Sequence, residues 1–434
     1  VVNLLPGEKL LIEIETVEPI RIVDRSFVLR IPTTIDFRYT SDAMAENFEE
    51  PTSVAVNCFS DYPASARFRL RGFAAKGEIE NCSHDFEVKR QRIPNGDETK
   101  NNALDEMLVQ IENAKLNRDI TLRIGHLPMP FSDGICRFGR IVKGYDDCVY
   151  GMFSSIASRE NEPESNRELS FLDLRILVDC SGSMDGAAIR EVRKALPGVL
   201  RNMTKNDTVI GLRFGSTVET WFRANGVTDI FKRRFEALYV PTIEADLGGT
   251  EMEAALDAAL RLKPKTDRSD IHTEKIVRRS AVLLITDGDV WDIERLKKKA
   301  SQKQIPIFII AVGYAPADAP LEEIAEVSGG FVEYATPGEP IAELAARMVE
   351  AIRRQTVLTD AAVLSDAFRL RPDAIVTAPV AAAGISETTF LRWRSDNVSD
   401  VLSSAKNELF ELAAEDDAVA KSAAYAFFKA SVRR

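Results

Sequence analysis

Histidine is nearly absent from this 434-residue chain, which carries only His84, His126 and His272. A serine triad needs an imidazole beside its nucleophile, and Ser181 and Ser183 also lack the Gly-x-Ser-x-Gly elbow, so acyl transfer is a poor fit. His272 lies in the polar connection from Lys263 to Lys275 and has the setting of a solvated loop histidine. Cysteine is scarce too: five residues, an odd number with no Cys-x-x-Cys pair, argue against a zinc ribbon or a dense disulfide framework. A reducing, cytoplasmic compartment is the simpler account. Secretion stays open, because the chain starts at Val1 and an address could have been removed. Neither Gly-x-x-x-x-Gly-Lys nor Gly-x-Gly-x-x-Gly occurs, which removes the usual nucleotide loops. Positive charge is in deficit, 56 basic against 67 acidic residues for a formal charge of -11, and that field disfavours nucleic acid. No apolar run approaches the roughly 18 residues of a spanning helix.

What the chain does carry is concentrated between Phe171 and Met184, Phe-Leu-Asp-Leu-Arg-Ile-Leu-Val-Asp-Cys-Ser-Gly-Ser-Met. Its apolar first half suits a strand buried on both faces of a parallel sheet. The strand then delivers Asp179, Ser181 and Ser183 onto a turn at its carboxyl end, where open α/β sheets place their ligands. Alternating small oxygen side chains suit a hard cation, and Mg2+ asks for octahedral oxygen ligands at about 2.0 to 2.1 Å. One loop cannot complete that shell. Two later segments can: Leu247-Gly-Gly-Thr brings Thr250 to the start of a helix, and Leu284-Ile-Thr-Asp-Gly brings Asp287 off the end of another buried strand. The plainer alternative is that Ser183 or Asp185 caps the following helix and Thr250 caps another. Cys180, the variable residue inside the loop, is expected to point into the core.

The Asp-x-Ser-x-Ser run with a distant Thr and a distant Asp resembles the metal-ion-dependent adhesion site of von Willebrand factor A domains. That resemblance implies a doubly wound, mostly parallel Rossmann-like sheet over 169–356. It implies Mg2+, or Mn2+ or Ca2+ in its place, held by Asp179, Ser181, Ser183, Thr250 and Asp287. It also implies a non-enzymatic role in which an exposed Asp or Glu of a protein partner completes the site. In some A domains the last helix, here Ile341 to Arg353, shifts with ligand closure. Leu4-Leu-Pro-Gly-Glu-Lys and Arg30-Ile-Pro-Thr-Thr-Ile-Asp-Phe-Arg-Tyr resemble the vault and inter-alpha-trypsin (VIT) domain, which precedes the A domain in inter-alpha-trypsin inhibitor heavy chains and in prokaryotic proteins of both modules. The resemblance implies a β-sandwich over 1–157, with the charged stretch 158–168 as linker.

Taken in order, strands are expected at Lys9 to Val17, Phe27 to Pro32, Arg67 to Arg71, Asp119 to Ile124 and Cys148 to Ile156. Arg67, Arg69 and Arg71 share one strand face, an anion strip or, more simply, a solvated face. From Leu169 onward strands and helices alternate. Helical spacing covers Ala187 to Met203, Asp229 to Leu238, Glu251 to Leu262, Ile293 to Gln302, Leu321 to Val327 and Ile341 to Arg353. Strands are expected at Asp207 to Gly215, Val218 to Phe222, Ser280 to Thr286 and Ile305 to Gly313. The tail, 357–434, is expected to place short strands at Ala374 to Val380 and Thr388 to Trp393, able to return to the N-terminal sandwich, then helices at Val398 to Leu412 and Val419 to Phe428. Two other functions fit the same residues: a scaffold or adaptor subunit of a larger ATPase or defence complex, and an aspartyl phosphotransferase with Asp179 as nucleophile. The second lacks the Asp two residues on, where Ser181 stands.

Overall fold

Apolar residues alternating with polar ones build the N-terminal third, and unbroken apolar runs build the middle of the chain. The computed structural model describes residues 9–14, 20–23, 25–33, 63–93, 104–115, 119–129, 135–143, 149–157, 170–262, 277–288, 293–302, 305–313, 318–335, 340–354, 374–376, 387–393 and 410–413. Packing divides the chain into two units: 26–128 with 163–355, and 1–25 with 129–162 and 356–434.

In the first unit, β1 (Phe27–Ile31), β2 (Pro63–Arg71), β3 (Glu78–Cys82), β4 (Glu87–Ile93), β5 (Leu104–Lys115) and β6 (Ile120–Gly125) form two antiparallel sheets, ordered β1-β6-β3 and β2-β5-β4. They meet face to face where Ile111 and Ala114 of β5 pack with Ile120 of β6, flanked by Ala66, Phe68 and Cys82. Burial of Ile111 and Ile120 contributes about 1.5 to 3 kcal/mol each. The face of β2 bearing Arg67, Arg69 and Arg71 is exposed, and Arg71 gives its Nε–H to Glu106 at 2.7 Å. Lys9 to Ile14 is not a strand: Leu10, Leu11, Ile12 and Ile14 are exposed. Their alternation asks for a covering face, and no described strand pairs with them.

In the other unit, β7 (Ile135–Lys143) and β8 (Val149–Ala157) form a hairpin. They share one five-stranded sheet with β15 (Ala374–Val376), β16 (Glu387–Trp393) and β17 (Phe410–Ala413), in the order β15-β16-β8-β7-β17. Phe410 to Leu412 therefore lies in a strand parallel to β7, which corrects the helix expected to end at Leu412. Pairing along β7 overrides the helical propensity of a Leu- and Ala-rich stretch. The linker 158–168, His272 and the helix expected at Val419 to Phe428 lie outside the described residues.

The middle of the chain is a doubly wound, mostly parallel sheet. Its strands are β9 (Ser170–Asp179), β10 (Thr208–Phe214), β11 (Val218–Asn225), β12 (Val277–Thr286), β13 (Ile307–Ala311) and β14 (Val332–Tyr334), ordered β11-β10-β9-β12-β13-β14. Only β11 runs antiparallel, as a hairpin with β10. Residues 172–180 are all buried, as a central parallel strand requires. Among the described residues six helices cover the faces: α1 (Ala187–Arg201), α2 (Asp229–Arg234), α3 (Met252–Arg261), α4 (Ile293–Gln302), α5 (Asp318–Ser328) and α6 (Ile341–Arg354). One face packs Leu177, Leu212, Phe214 and Leu284 against Leu256, Leu296 and Ile324 of α3, α4 and α5. The helix expected to run evenly from Asp229 to Leu238 instead breaks after Arg234 into a π-turn over Phe235–Tyr239.

At the amino end of β9, Asp207 is fully buried and saturated with donors. Its carboxylate accepts the Leu172 N–H at 2.8 Å, the Thr204 N–H at 2.6 Å, and both Nη groups of Arg353 on α6 at 3.0 and 2.6 Å. The last helix is thereby tied to the loop that feeds β10.

Candidate functional site

The carboxyl end of β9 is the opposite end of the sheet from Asp207. A buried strand can stop there only if its last backbone groups find partners. Cys180 N–H bonds the Phe214 carbonyl at 2.8 Å and its carbonyl accepts Leu247 N–H at 3.0 Å. Gly182 N–H bonds the Gly248 carbonyl at 2.7 Å, so the 247–250 loop lies directly on the turn. A Cβ at Gly182 would stand 3.6 Å from that carbonyl oxygen, in ordinary contact.

Asp179 is fully buried and Ser181 is 1% exposed, whereas Ser183 faces solvent. Oδ1 of Asp179 accepts the Ser181 N–H at 3.0 Å, and Oδ2 accepts the hydroxyl of Thr286 at 2.6 Å. The hydroxyls of Ser181 and Ser183 stand 3.1 Å apart. Adjacent oxygens of an octahedron with bonds of about 2.1 Å lie roughly 3.0 Å apart, so this spacing matches one octahedral edge around Mg2+. Thr250 enters on the 247–250 loop, and Asp287 directly follows Thr286, the residue bonded to Asp179. Thr250 and Asp287 are each partly buried. All three expected segments therefore converge on the end of β9.

The capping alternative is not what the structure has. The residue preceding α1 is Gly186 and that preceding α3 is Glu251, and neither helix start receives a side-chain cap bond. Asp185 Oδ1 instead accepts the neighbouring Gly186 N–H at 2.8 Å. Neither the Ser183 nor the Thr250 hydroxyl bonds a helix terminus, and that of Ser183 shares a hydrogen bond with Ser181.

Two supporting residues carry no signal in the expected pattern. Thr286 is fully buried and also accepts the Gly288 N–H at 3.1 Å, so one hydroxyl couples Asp179 to the backbone that carries Asp287. Ser216, in the β10–β11 turn, accepts Gly249 N–H on its hydroxyl at 2.8 Å and gives its own N–H to Leu247 O at 2.6 Å. It anchors the loop on both sides. A Thr closing a strand and a Ser in a hairpin turn are too common to single out, although each supplies a hydroxyl at a strand end.

Chemically the set is two carboxylates and three hydroxyls, hard donors that suit Mg2+ or Mn2+ rather than zinc. Among the described residues no three His, Cys, Asp or Glu side chains converge on a point. Cys180 is fully buried, and burial pushes its thiol up to about 12, opposed by the charge of Arg213 and reinforced by that of Asp179. Burial of this kind disfavours the thiolate, the form that ligates soft metals or attacks. Arg213, the cation on neighbouring β10, is directed elsewhere, to Glu219 at 2.9 Å and the Thr242 carbonyl at 3.0 Å.

Residues 172–334 match the von Willebrand factor type A domain family. Over 162 residues the chain is 27% identical to inter-alpha-trypsin inhibitor heavy chain H4 of Bos taurus, which covers 36% of this chain and 17% of that protein. Over 127 residues it is 30% identical to a von Willebrand factor A domain-containing protein of Dictyostelium discoideum, covering 26% of this chain and 14% of that protein. The matches thus span less than a fifth of those relatives. Among solved structures, a von Willebrand factor type A protein from Catenulispora acidiphila is similar with a TM-score of 0.40 and 13% identity, over 61% of this chain and 67% of that one. The manganese-loaded TRAP protein of Plasmodium vivax is similar with a TM-score of 0.31 and 23% identity, over 42% of this chain and 74% of that one. No described helix is long and apolar enough to cross a membrane.

Proposed function

We propose, on the premise that this chain carries a von Willebrand factor type A domain over residues 172–334, that it is a metal-dependent protein-recognition module with no catalytic activity of its own. Asp179, Ser181, Ser183, Thr250 and Asp287 would hold Mg2+ or Mn2+, directly or through water, and leave room for an Asp or Glu of a partner protein. The bound ion supplies a localised positive charge that makes recognition selective for carboxylates. The observation that carries this reading is the 3.1 Å pair of serine hydroxyls beside a buried carboxylate, none of them used as a helix cap. Catalysis by Asp179 is disfavoured because an aspartyl phosphotransferase carries a second Asp two residues on, where Ser181 stands. The antiparallel N-terminal sheets β1-β6-β3 and β2-β5-β4 support a VIT-like companion module, and the odd count of cysteines supports a cytoplasmic setting.

Mn2+ titration of the EDTA-treated full chain, followed by loss of the free-ion EPR signal and by calorimetry, tests the site. Wild type should take up one ion and Asp179→Asn none, while both keep the same circular dichroism spectrum. Equal uptake by the two proteins would remove the ion from the mechanism. Thr286→Val should lower Mn2+ affinity by about tenfold, since partners behind a ligand typically contribute 10- to 100-fold, and Thr286→Ser should restore it. Unchanged affinity in Thr286→Val would show that Asp179 is oriented without that hydroxyl.

A further inference from the structure

Away from the metal loop, the run that follows edge strand β11 presents an unusual outer face. Among the described residues of 170–354, Ile230 at 73% and Leu238 at 58% exposure are the two large hydrophobic side chains that stand in solvent. They lie eight positions apart on one helical run, with exposed Arg233, Arg234 and Ala237 between them at the spacings that share a face. Neighbouring helices pair their charges, as in Arg201–Glu343, Arg261–Asp257 and Lys299–Glu253. Lys232 is paired with Asp229, but Arg233 and Arg234 enter no ion pair among the described residues. Two unpaired arginines bracketed by two exposed aliphatic side chains stand on a chain whose formal charge is -11.

The backbone under this face is also anchored. Phe235 is fully buried beneath it, with ring centroids 4.9 Å from Phe222, 5.4 Å from Trp221 and 6.1 Å from Tyr239. Thr228 caps the start of α2 through Phe231 N–H, and Lys232 Nζ bonds the Arg201 carbonyl at 2.9 Å. The π-turn over Phe235–Tyr239 widens the helix where Leu238 emerges, and π-turns are frequent at functional sites. A segment whose backbone is fixed before binding loses less entropy when a partner arrives.

We propose that this face docks an acidic amphipathic segment of a partner protein, seating two apolar side chains on Ile230 and Leu238 and carboxylates on Arg233 and Arg234. Charge complementarity selects that partner, because arginine pairs with carboxylates through two parallel bonds and apolar anchors supply the contact area. A second copy of this chain would bring its own net negative charge and meet long-range repulsion. The surface is distinct from the metal loop and needs no ion.

The probe is a fluorescein-labelled helical 15-residue peptide presenting Leu, Glu, Glu and Leu at i, i+3, i+4 and i+8, titrated by anisotropy against the full chain in EDTA. Wild type should bind it, more weakly as salt rises, and Arg233→Glu with Arg234→Glu should weaken binding at least about tenfold. A peptide with Lys for Glu should prefer the doubly reversed protein. Both substitutions are on the surface, so matching melting curves check the fold. Absence of binding, equal affinity in the reversed protein, or undiminished affinity for a peptide with Ser for both Leu would overturn the proposal. So would a concentration-dependent dimer abolished by the same reversal, which assigns the face to a second copy. Because the assay excludes metal, a failure here leaves the Mn2+ test untouched.

Discussion

Replacing Arg353 with alanine should cost the sheet unit about 3 to 5 kcal/mol at neutral pH, the range found when one partner of a buried ion pair is removed. Asp207 has no exposed surface, and Arg353 is 14% exposed at its side chain and supplies two of the carboxylate's donors. Without it a charge stays buried with only the Leu172 and Thr204 donors to hold it. The same arginine gives Nη2–H to the Asn202 carbonyl at 3.3 Å, and its own carbonyl accepts from Arg279 at 2.7 Å, so α6 loses part of a wider latch. Burial pushes the Asp207 carboxyl upward, but the Arg353 fork and the backbone donors outweigh it and the net direction is down. A lowered carboxyl contributes stability that is present above its unfolded pKa and lost as pH falls through the folded one. The stability gap between wild type and Arg353→Ala should therefore be widest near pH 7 and close as pH drops below the ordinary carboxylate range. Arg353→Lys, which keeps charge without the fork, should fall between. Urea unfolding followed by circular dichroism measures all three. A loss under about 1 kcal/mol would put the pair with exposed ion pairs and deny the latch.

The latch was not legible in the chain, whereas the meeting of the 179–183, 247–250 and 286–287 segments was, and the difference is one of locality. Asp179, Ser181 and Ser183 share one turn, and Thr250 and Asp287 each stand beside glycines at an element end. Residue type and context coincide within a few positions. Asp207 and Arg353 are separated by 146 positions, and each alone has the sequence surroundings of an ordinary surface residue. The doubly wound sheet was readable from unbroken apolar runs such as 281–285. The π-turn was not, because Phe235 to Tyr239 has helical spacing and its widening comes from the ring cluster with Trp221 and Phe222. Lys9 to Ile14 and Phe410 to Leu412 mislead in opposite senses. The first has strand alternation and no described partner strand, and the second has helix-forming residues and is captured by β7.

Gly198→Ala should destabilise the same unit by about 3 kcal/mol, although alanine in a helix interior is normally worth about 1 kcal/mol over glycine. A Cβ at 198 would stand 2.0 Å from the carbonyl oxygen of Ala342 and 2.8 Å from its Cα. Those are backbone atoms of α6, so no rotamer change relieves the clash and the helices must separate. Overpacking of this kind typically costs 1 to 3 kcal/mol, occasionally more. Pro197 beside it already forgoes a helical hydrogen bond, and the pair of helix breakers in α1 makes sense as the point where α6 comes closest. Trimming the facing side chain cannot help, so Ala342→Gly should not rescue Gly198→Ala. Because displacement of α6 also loosens Arg353 from Asp207, Gly198→Ala and Arg353→Ala should cost less together than the sum of their separate effects. Strict additivity in denaturant unfolding would mean that α1 yields in place of α6. Full rescue by Ala342→Gly would mean that a side chain, and not the backbone, sets the distance between the two helices.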